Sequence, residues 1–186
     1  MKPLDKYMGW KVLIHFLNNP TGQFYIKQLS RLLGISPRSA LEAVHGFEKE
    51  GLLKRRVVGQ AHLFCLDNDK PVVKAMKRMD ILIRIHEARL VEKLLEADDA
   101  MVSLILYGSY ASGEYDERSD LDLLIISPSG RSPYSKHVRE KWKDLNMQTN
   151  LEVFDLASWR RLGKAGDVFH SEIRRNHVVL YGSEIA

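Results

Sequence analysis

The first third of the chain shows helical spacing of its apolar residues, followed by two strand-like runs. Apolar side chains recur every three or four residues in three segments, which predicts three helices. These segments are residues 4–17, 26–33 and 37–50. Ser36 followed by Pro37 is typical of a helix start, because serine caps the first turn and proline suits the first helical position. Two apolar runs around the pair Gly59-Gln60 predict a β-hairpin.

The next segment is longer and amphipathic. Residues 70–97 keep helical spacing throughout, which predicts one helix of about 42 Å at about 1.5 Å per residue. Such a helix suits a linker that pairs with its copy in a homodimer, and it equally suits a core helix of a second domain. From residue 101 the apolar runs become short and typical of strands. We therefore predict a first domain of residues 1–69, a linker helix of residues 70–98 and a second domain of residues 99–186.

Positive charge is concentrated towards the amino terminus, although the net charge of the 186 residues is only +4. Residues 1–70 contain 11 Lys and Arg against 6 Asp and Glu, whereas residues 101–186 contain 11 against 12. A basic segment joined to a nearly neutral one favours a polyanion, such as nucleic acid, as the partner of the first segment.

The cysteine content and the length of the apolar runs bear on the compartment. Cys65 is the only cysteine, so no intrachain disulfide can form and a reducing interior is expected. No window reaches the ~18 apolar residues that a membrane-spanning helix requires. The first residues carry charges throughout, unlike a signal peptide. These features predict a cytoplasmic protein without a membrane partner.

The amino-terminal order of helix, helix, turn, helix and hairpin contains the stretch ISPRSALEAVHGFEKEGLLKRR. This stretch resembles the recognition helix and wing of winged-helix transcription regulators. The resemblance implies a winged helix-turn-helix domain that binds double-stranded DNA, with the polar side of the third helix towards the bases and the wing arginines towards phosphates. The candidates are Arg38, Ser39, Glu42, His45, Arg55 and Arg56. A protein-binding or purely structural module is the alternative.

Two carboxylates open the second strand-like run of the carboxy-terminal part. Side chains alternate along a strand, so Asp120 and Asp122 share a face about 7 Å apart. They repel each other unless a cation lies between them, and a divalent metal is the simplest cation. The preceding run ends in Gly108-Ser109, where a missing side chain, backbone amides and a hydroxyl suit a phosphate.

Phosphate, metal and carboxylates together indicate phosphoryl or nucleotidyl transfer with two Mg²⁺ ions and a nucleoside triphosphate. This chemistry calls for a third carboxylate from a neighbouring strand. In the run NLEVFD we assign this role to Glu152, as a ligand of the second metal and a general base for the incoming hydroxyl. Asp155 lies on the opposite face of the strand and is expected to cap the following helix.

The stretch GSYASGEYDERSDLDLLI resembles the signature of the DNA polymerase β-like nucleotidyltransferase superfamily, and most closely its minimal members. The resemblance implies an α+β protein whose second domain has a mixed β-sheet flanked by helices. By position, Gly108 and Ser109 correspond to the family's phosphate-binding residues, and the carboxylates at 120, 122 and 152 to its metal ligands. The family often has an arginine where this chain has Ser112, which leaves Arg118 as the nearest cation. The third acidic residue is usually aspartate rather than glutamate.

Two functions follow from these features. The first is Mg²⁺-dependent transfer of a nucleoside monophosphate to an unidentified hydroxyl, with a protein among the acceptors because minimal nucleotidyltransferases of toxin–antitoxin pairs modify their partner toxins. The second is a DNA-binding transcription regulator that uses the same fold for nucleotide sensing or dimerisation without catalysis. A polymerase-like enzyme would require a more basic cleft than the carboxy-terminal segment offers.

Overall fold

A computed structural model describes residues 7–134, 145 and 147–184 of the chain. The chain divides into two compact units. The first comprises Met1–Asp80 and Tyr115–Glu117, and the second comprises Ile81–Glu114 and Arg118–Ala186. Within the described ranges, no helix is long and apolar enough to cross a membrane.

The first unit contains the three helices and the hairpin that the apolar spacing predicted. Its elements are α1 (Met8–Asn18), α2 (Ile26–Leu33), α3 (Pro37–Lys49), β1 (Leu53–Val58) and β2 (Ala61–Leu66). Ser36 caps α3, as predicted, because its hydroxyl accepts the amide of Ser39 at 3.0 Å. Gly34 ends α2 in the left-handed conformation, with φ 63°. The apolar stripes of the three helices meet over Phe64 of β2 in one buried core.

The long helix predicted for residues 70–97 is wrong, because the structure has two helices there. They are α4 (Pro71–Glu87) and α5 (Leu90–Ala97). Arg89 lies between them with φ 52°, in the left-handed region. In one continuous helix Leu90 would lie about half a turn around the axis from Ile81, yet both are fully buried. The break lets both apolar stripes reach a core.

The division into units falls inside α4, between Asp80 and Ile81. The domain ranges drawn from the sequence, residues 1–69, 70–98 and 99–186, stay a prediction.

The second unit is built on a four-stranded mixed sheet, as predicted. Its strands are β3 (Ser103–Tyr107), β4 (Leu121–Ile126), β5 (Thr149–Phe154) and β6 (His177–Gly182). The strand order is β5-β4-β3-β6. Strand β3 runs antiparallel to β4 and β6, whereas β4 and β5 are parallel.

Helices cover one face of this sheet. They are α6 (Gly108–Ser112), α7 (Leu156–Lys164) and α8 (Val168–Arg175), and a 3-10 turn spans Ser132–Tyr134. Trp159 of α7 and Ile173 of α8 pack on buried Leu124 of the central strand β4. Asp155 caps α7 by accepting the amide of Ser158 at 2.8 Å, which confirms the prediction for this residue.

A buried carboxylate holds the loop that follows β4. Asp98 is only 6% exposed, and it accepts hydroxyl hydrogen bonds from Ser127 at 2.5 Å, Ser129 at 2.9 Å and Tyr134 at 2.6 Å. Burial alone would raise the pKa of Asp98, but these donors outweigh it and the pKa lies below the ordinary value. The carboxylate therefore ties the β4 loop to the end of α5.

We expect Asp98→Asn to lower the free energy of unfolding of the protein by about 2 kcal/mol, because three hydroxyl donors lose a charged acceptor. The folded-state pKa of Asp98 is lowered. The contribution of the Asp98 carboxylate to the free energy of unfolding is therefore complete above the ordinary carboxyl pKa of about 4. This contribution is lost as the pH falls through the lowered pKa of the folded state. Urea unfolding at several pH values measures both effects. The control is Asp99→Asn on the exposed neighbour; equal losses in the two variants would contradict this role.

Candidate active site

The two predicted carboxylates meet at the start of β4. Asp122 is the second residue of β4, and Asp120 lies directly before the first residue of this strand. The parallel register pairs Asp122 with Asn150 of β5. The Asn150 side-chain amide donates to Asp122 Oδ1 at 3.0 Å and to Asp120 Oδ2 at 3.4 Å. One amide group therefore holds both carboxylates together.

The electrostatics of this pair favour binding of a cation. Burial raises the pKa of Asp122, the hydrogen bond from Asn150 opposes this shift, and the negative charge of Asp120 adds to it. A divalent ion at the pair would stabilise both ionised carboxylates, which are hard oxygen ligands.

Gly108 begins α6 with φ 71°, a conformation that favours glycine. A Cβ atom at this position would collide with the Asp122 carboxylate. The predicted reason for this glycine was the approach of a phosphate; the structure adds a second reason, because the backbone of Gly108 lies directly against Asp122. The Gly-Ser turn is therefore adjacent to the carboxylate pair, as predicted.

Two cavities open beside Asp122 and the Gly-Ser turn. The first, of about 500 Å³, is called the β5 cavity here and is lined by Asp122, Asn150 and Glu152 among others. The second, of about 410 Å³, is called the α6 cavity and is lined by Gly108 and Ser109 among others. Two aromatic residues line both cavities: the rings of Tyr107 and Phe169 meet edge to face with centroids 5.7 Å apart. This ring pair forms a shared wall.

The predicted metal site of three carboxylates is not assembled. Among the residues that the structure describes, no group of three or more His, Cys, Asp or Glu side chains is close enough to hold a metal ion. The register explains this result. Asn150 is the partner of Asp122, and Glu152 lies two residues further along β5, about 7 Å away. Glu152 instead lines the β5 cavity.

The charges of Glu152 and Asp122 both affect the pKa of Tyr107, whose side chain lines both cavities. Burial raises the pKa of Tyr107 to about 12, and the charges of Asp122 and Glu152 contribute to the rise. The Tyr107 hydroxyl is therefore neutral at pH values near 7, and it lies near the carboxylates of Asp122 and Glu152.

Arg118, the predicted cation, is exposed and lines neither of these two cavities. The structure places Arg131 in the β5 cavity instead, with its Nη2 donating to the Leu151 carbonyl at 3.0 Å. The sequence carries no local signal for Arg131, because the loop after β4 returns to β5 only in the folded chain. Asn150 had a signal: it alternates with apolar residues and therefore shares a strand face with Glu152.

The predicted DNA-binding residues all lie on α3 or β1. Arg38 is 88% exposed and pairs with Glu42 at 2.9 Å, and Arg55 of the wing pairs with Glu48 at 3.1 Å. The remaining three candidates are Ser39, whose amide binds the helix cap, His45, whose ring centroid lies 6.0 Å from that of Phe64, and exposed Arg56.

Comparison with known proteins identifies one region of the chain. Residues 87–165 match the family model of the nucleotidyltransferase domain. No curated protein and no solved structure matches the chain. The matched range contains the Gly-Ser turn, the carboxylate pair and Asn150. Residues 87–165 are therefore similar to a nucleotidyltransferase domain, and this similarity supports nucleotidyl transfer as the general class of function.

Proposed function

We propose that this domain is a metal-dependent enzyme that moves a nucleoside monophosphate from a nucleoside triphosphate to a hydroxyl acceptor. The observation that carries the proposal is the pair Asp120 and Asp122, held by Asn150 beside the Gly108-Ser109 turn. Half-buried carboxylates held by one amide, next to a glycine whose backbone is open to a ligand, suit a metal-bound triphosphate.

The carboxylate pair fits Mg²⁺ and the third predicted ligand does not. Mg²⁺ in proteins is usually bound by one or two carboxylates together with substrate phosphates and water, so Asp120 and Asp122 suffice. When bound, the ion neutralises charge on the triphosphate and polarises the phosphoryl group. The proposal therefore uses one ion held by these two residues, in place of the two ions expected from the sequence.

The two cavities divide the substrates. The triphosphate lies in the α6 cavity, where Gly108 and Ser109 contact its phosphates, and the acceptor hydroxyl enters the β5 cavity. The acceptor oxygen bonds to the α-phosphorus while the bond from that phosphorus to the bridging oxygen breaks, and pyrophosphate leaves. Glu152, which lines the β5 cavity, takes the proton of the hydroxyl as general base.

We expect the double variant Asp120→Asn and Asp122→Asn to lose transfer of label from α-labelled ATP, CTP, GTP or UTP in the presence of Mg²⁺. The amides keep the shape of the carboxylates but not the charge that holds the ion. Labelling is measured with and without cell extract, so that a protein acceptor is also detected. Asp99→Asn, which changes an exposed carboxylate outside both cavities, serves as the control. Unchanged labelling in the double variant would refute this use of the pair.

Gly108→Ala and Gly130→Ala form a matched pair of substitutions. Both positions have a positive φ, of 71° and 66°, so each variant is expected to lose about 1 to 2 kcal/mol in folding free energy. Only at Gly108 does the new methyl group meet Asp122; at Gly130 nothing lies within 4 Å. We expect Gly108→Ala to lose further stability in thermal unfolding and most of its labelling activity, whereas Gly130→Ala keeps its activity. Equal activity in the two variants would show that the contact with Asp122 is unimportant.

The missing third carboxylate in the cluster favours a second candidate function, nucleotide sensing without catalysis. Calorimetry with Mg²⁺ and a nucleoside triphosphate, combined with a pyrophosphate assay, separates the two. Binding that changes DNA affinity without pyrophosphate release supports a sensor and regulator; pyrophosphate release supports the enzyme.

We propose that the first unit is a winged helix that binds double-stranded DNA. The support is the order of α1, α2, α3 and the hairpin, together with the polar exposed side of α3 and the basic β1 strand. The ion pairs of Arg38 and Arg55 are partly or largely exposed, and such pairs are weak. DNA phosphates can therefore displace Glu42 and Glu48. A homodimer on two half-sites is the arrangement we propose for recognition.

We expect the triple variant Arg38→Ala, Arg55→Ala and Arg56→Ala to flatten the salt dependence of DNA binding. Each phosphate contact adds about 0.9 to the slope of log affinity against log salt, so the slope should fall by about 3. Fluorescence anisotropy at several salt concentrations measures it. A control with the same charge change replaces the exposed arginines at 160, 174 and 175 in α7 and α8. Equal slopes for the two triple variants would contradict binding by the first unit.

A further inference from the structure

We propose that Arg131 is a specificity-determining residue of the transfer reaction, selecting acceptors that carry a phosphate or carboxylate group close to the hydroxyl. The inference rests on the proposed transferase function and adds to it the chemical class of the acceptor. Its basis is the position of one arginine in the β5 cavity, together with the division of the substrates between the two cavities.

Arg131 is anchored from both sides. It follows the loop that Asp98 holds through Ser127 and Ser129, and its Nη2 donates to the Leu151 carbonyl at 3.0 Å. A guanidinium carries five N–H donors in a planar fork, and this bond fixes the fork while using one of them. Among the described residues, no carboxylate lies within ion-pair distance of Arg131. Within the described part of the chain, the Arg131 charge therefore lines the cavity without a carboxylate partner.

The cavity beside Arg131 is lined by further polar residues, among them Asn150 and Glu152. An anion that contacts Arg131 would form charge-assisted hydrogen bonds with its guanidinium group. Glu152 in the same cavity takes the proton of the reacting hydroxyl under the proposed function.

The geometry favours the acceptor over the nucleotide as the partner of Arg131. Attacking and leaving oxygens lie roughly in line in phosphoryl transfer, so the acceptor approaches on the side opposite the leaving pyrophosphate. The Gly108-Ser109 turn lines the α6 cavity, whereas Arg131 lines the β5 cavity; Tyr107 and Phe169 line both. With the triphosphate at the Gly-Ser turn, the β5 cavity is the side from which the acceptor approaches.

A protection experiment tests the binding without requiring turnover. The full-length protein is modified with phenylglyoxal, and the rate at Arg131 is followed by peptide mass spectrometry. The probes are glycerol, glycerol 3-phosphate, glycerate and pyrophosphate, since the first three share hydroxyl groups and differ in their anionic group. We expect glycerol 3-phosphate or glycerate to slow modification of Arg131, and comparing these two shows whether phosphate or carboxylate is preferred. Glycerol should have no effect.

Three results would overturn the inference. They are no protection by either anionic probe, equal protection by glycerol, and protection by pyrophosphate alone, which would assign Arg131 to the nucleotide. These results do not depend on catalysis, so a protein that binds these probes but transfers no label would contradict the proposed function alone.

A variant links the binding to specificity. Arg131→Gln keeps a polar side chain with amide donors and removes the charge. In the labelling assay with glycerol 3-phosphate and glycerol as acceptors, we expect the preference for the anionic acceptor to fall about tenfold or more, the loss of one charge-assisted hydrogen bond. The change should appear in KM rather than kcat. Arg160→Gln, an exposed arginine outside both cavities, is the control; an unchanged preference in Arg131→Gln would refute the role.

Discussion

The proposed chemistry depends on the way one side-chain amide holds two carboxylates. Asp120 and Asp122 share a strand face and repel each other, and the Asn150 amide reduces this repulsion by donating to both. This arrangement exists because β4 and β5 pair in parallel with Asp122 opposite Asn150. It also requires Gly108, since any side chain there would displace the Asp122 carboxylate. The register of two strands and one glycine therefore fixes the geometry of the site that we propose for a metal-bound triphosphate.

The same strand register places different groups on the two sides of the carboxylate pair. On one side, the Gly-Ser turn offers a backbone without side-chain bulk; on the other, β5 offers Glu152 and the anchored Arg131. Tyr107 lies between them, and its pKa of about 12 reflects burial and the two neighbouring acids. The proposed transfer uses both sides, because the acceptor approaches the phosphorus opposite the departing pyrophosphate.

The sequence predicted what local spacing encodes. The helix-and-hairpin order of the first unit, the mixed sheet, the Ser36 and Asp155 caps and the position of the carboxylate pair all follow from patterns within about twenty residues. Prediction from the sequence failed where the local structure depends on tertiary packing. The break at Arg89 arises because two apolar stripes half a turn apart are both buried.

The third carboxylate shows the same limit inside the site. Choosing Glu152 over Asn150 required the register between β4 and β5, and a shift of two residues along a strand preserves the face but moves the side chain by about 7 Å. Arg131 reaches the site from a loop after β4, and no motif marks it. The order of elements and the position of the carboxylate pair were therefore predictable, while the residue opposite Asp122 and the nearby cation were not; the chemistry of the pair stays a prediction.

The most direct test of the account is a crystal structure of the protein with Mn²⁺ and a nucleoside triphosphate analogue that cannot be cleaved at the α-phosphate. The account predicts an anomalous peak between Asp120 and Asp122, with the triphosphate beside Gly108 and Ser109 and the β5 cavity left open. A metal and nucleotide bound elsewhere, or a nucleotide whose phosphates contact Arg131, would contradict it.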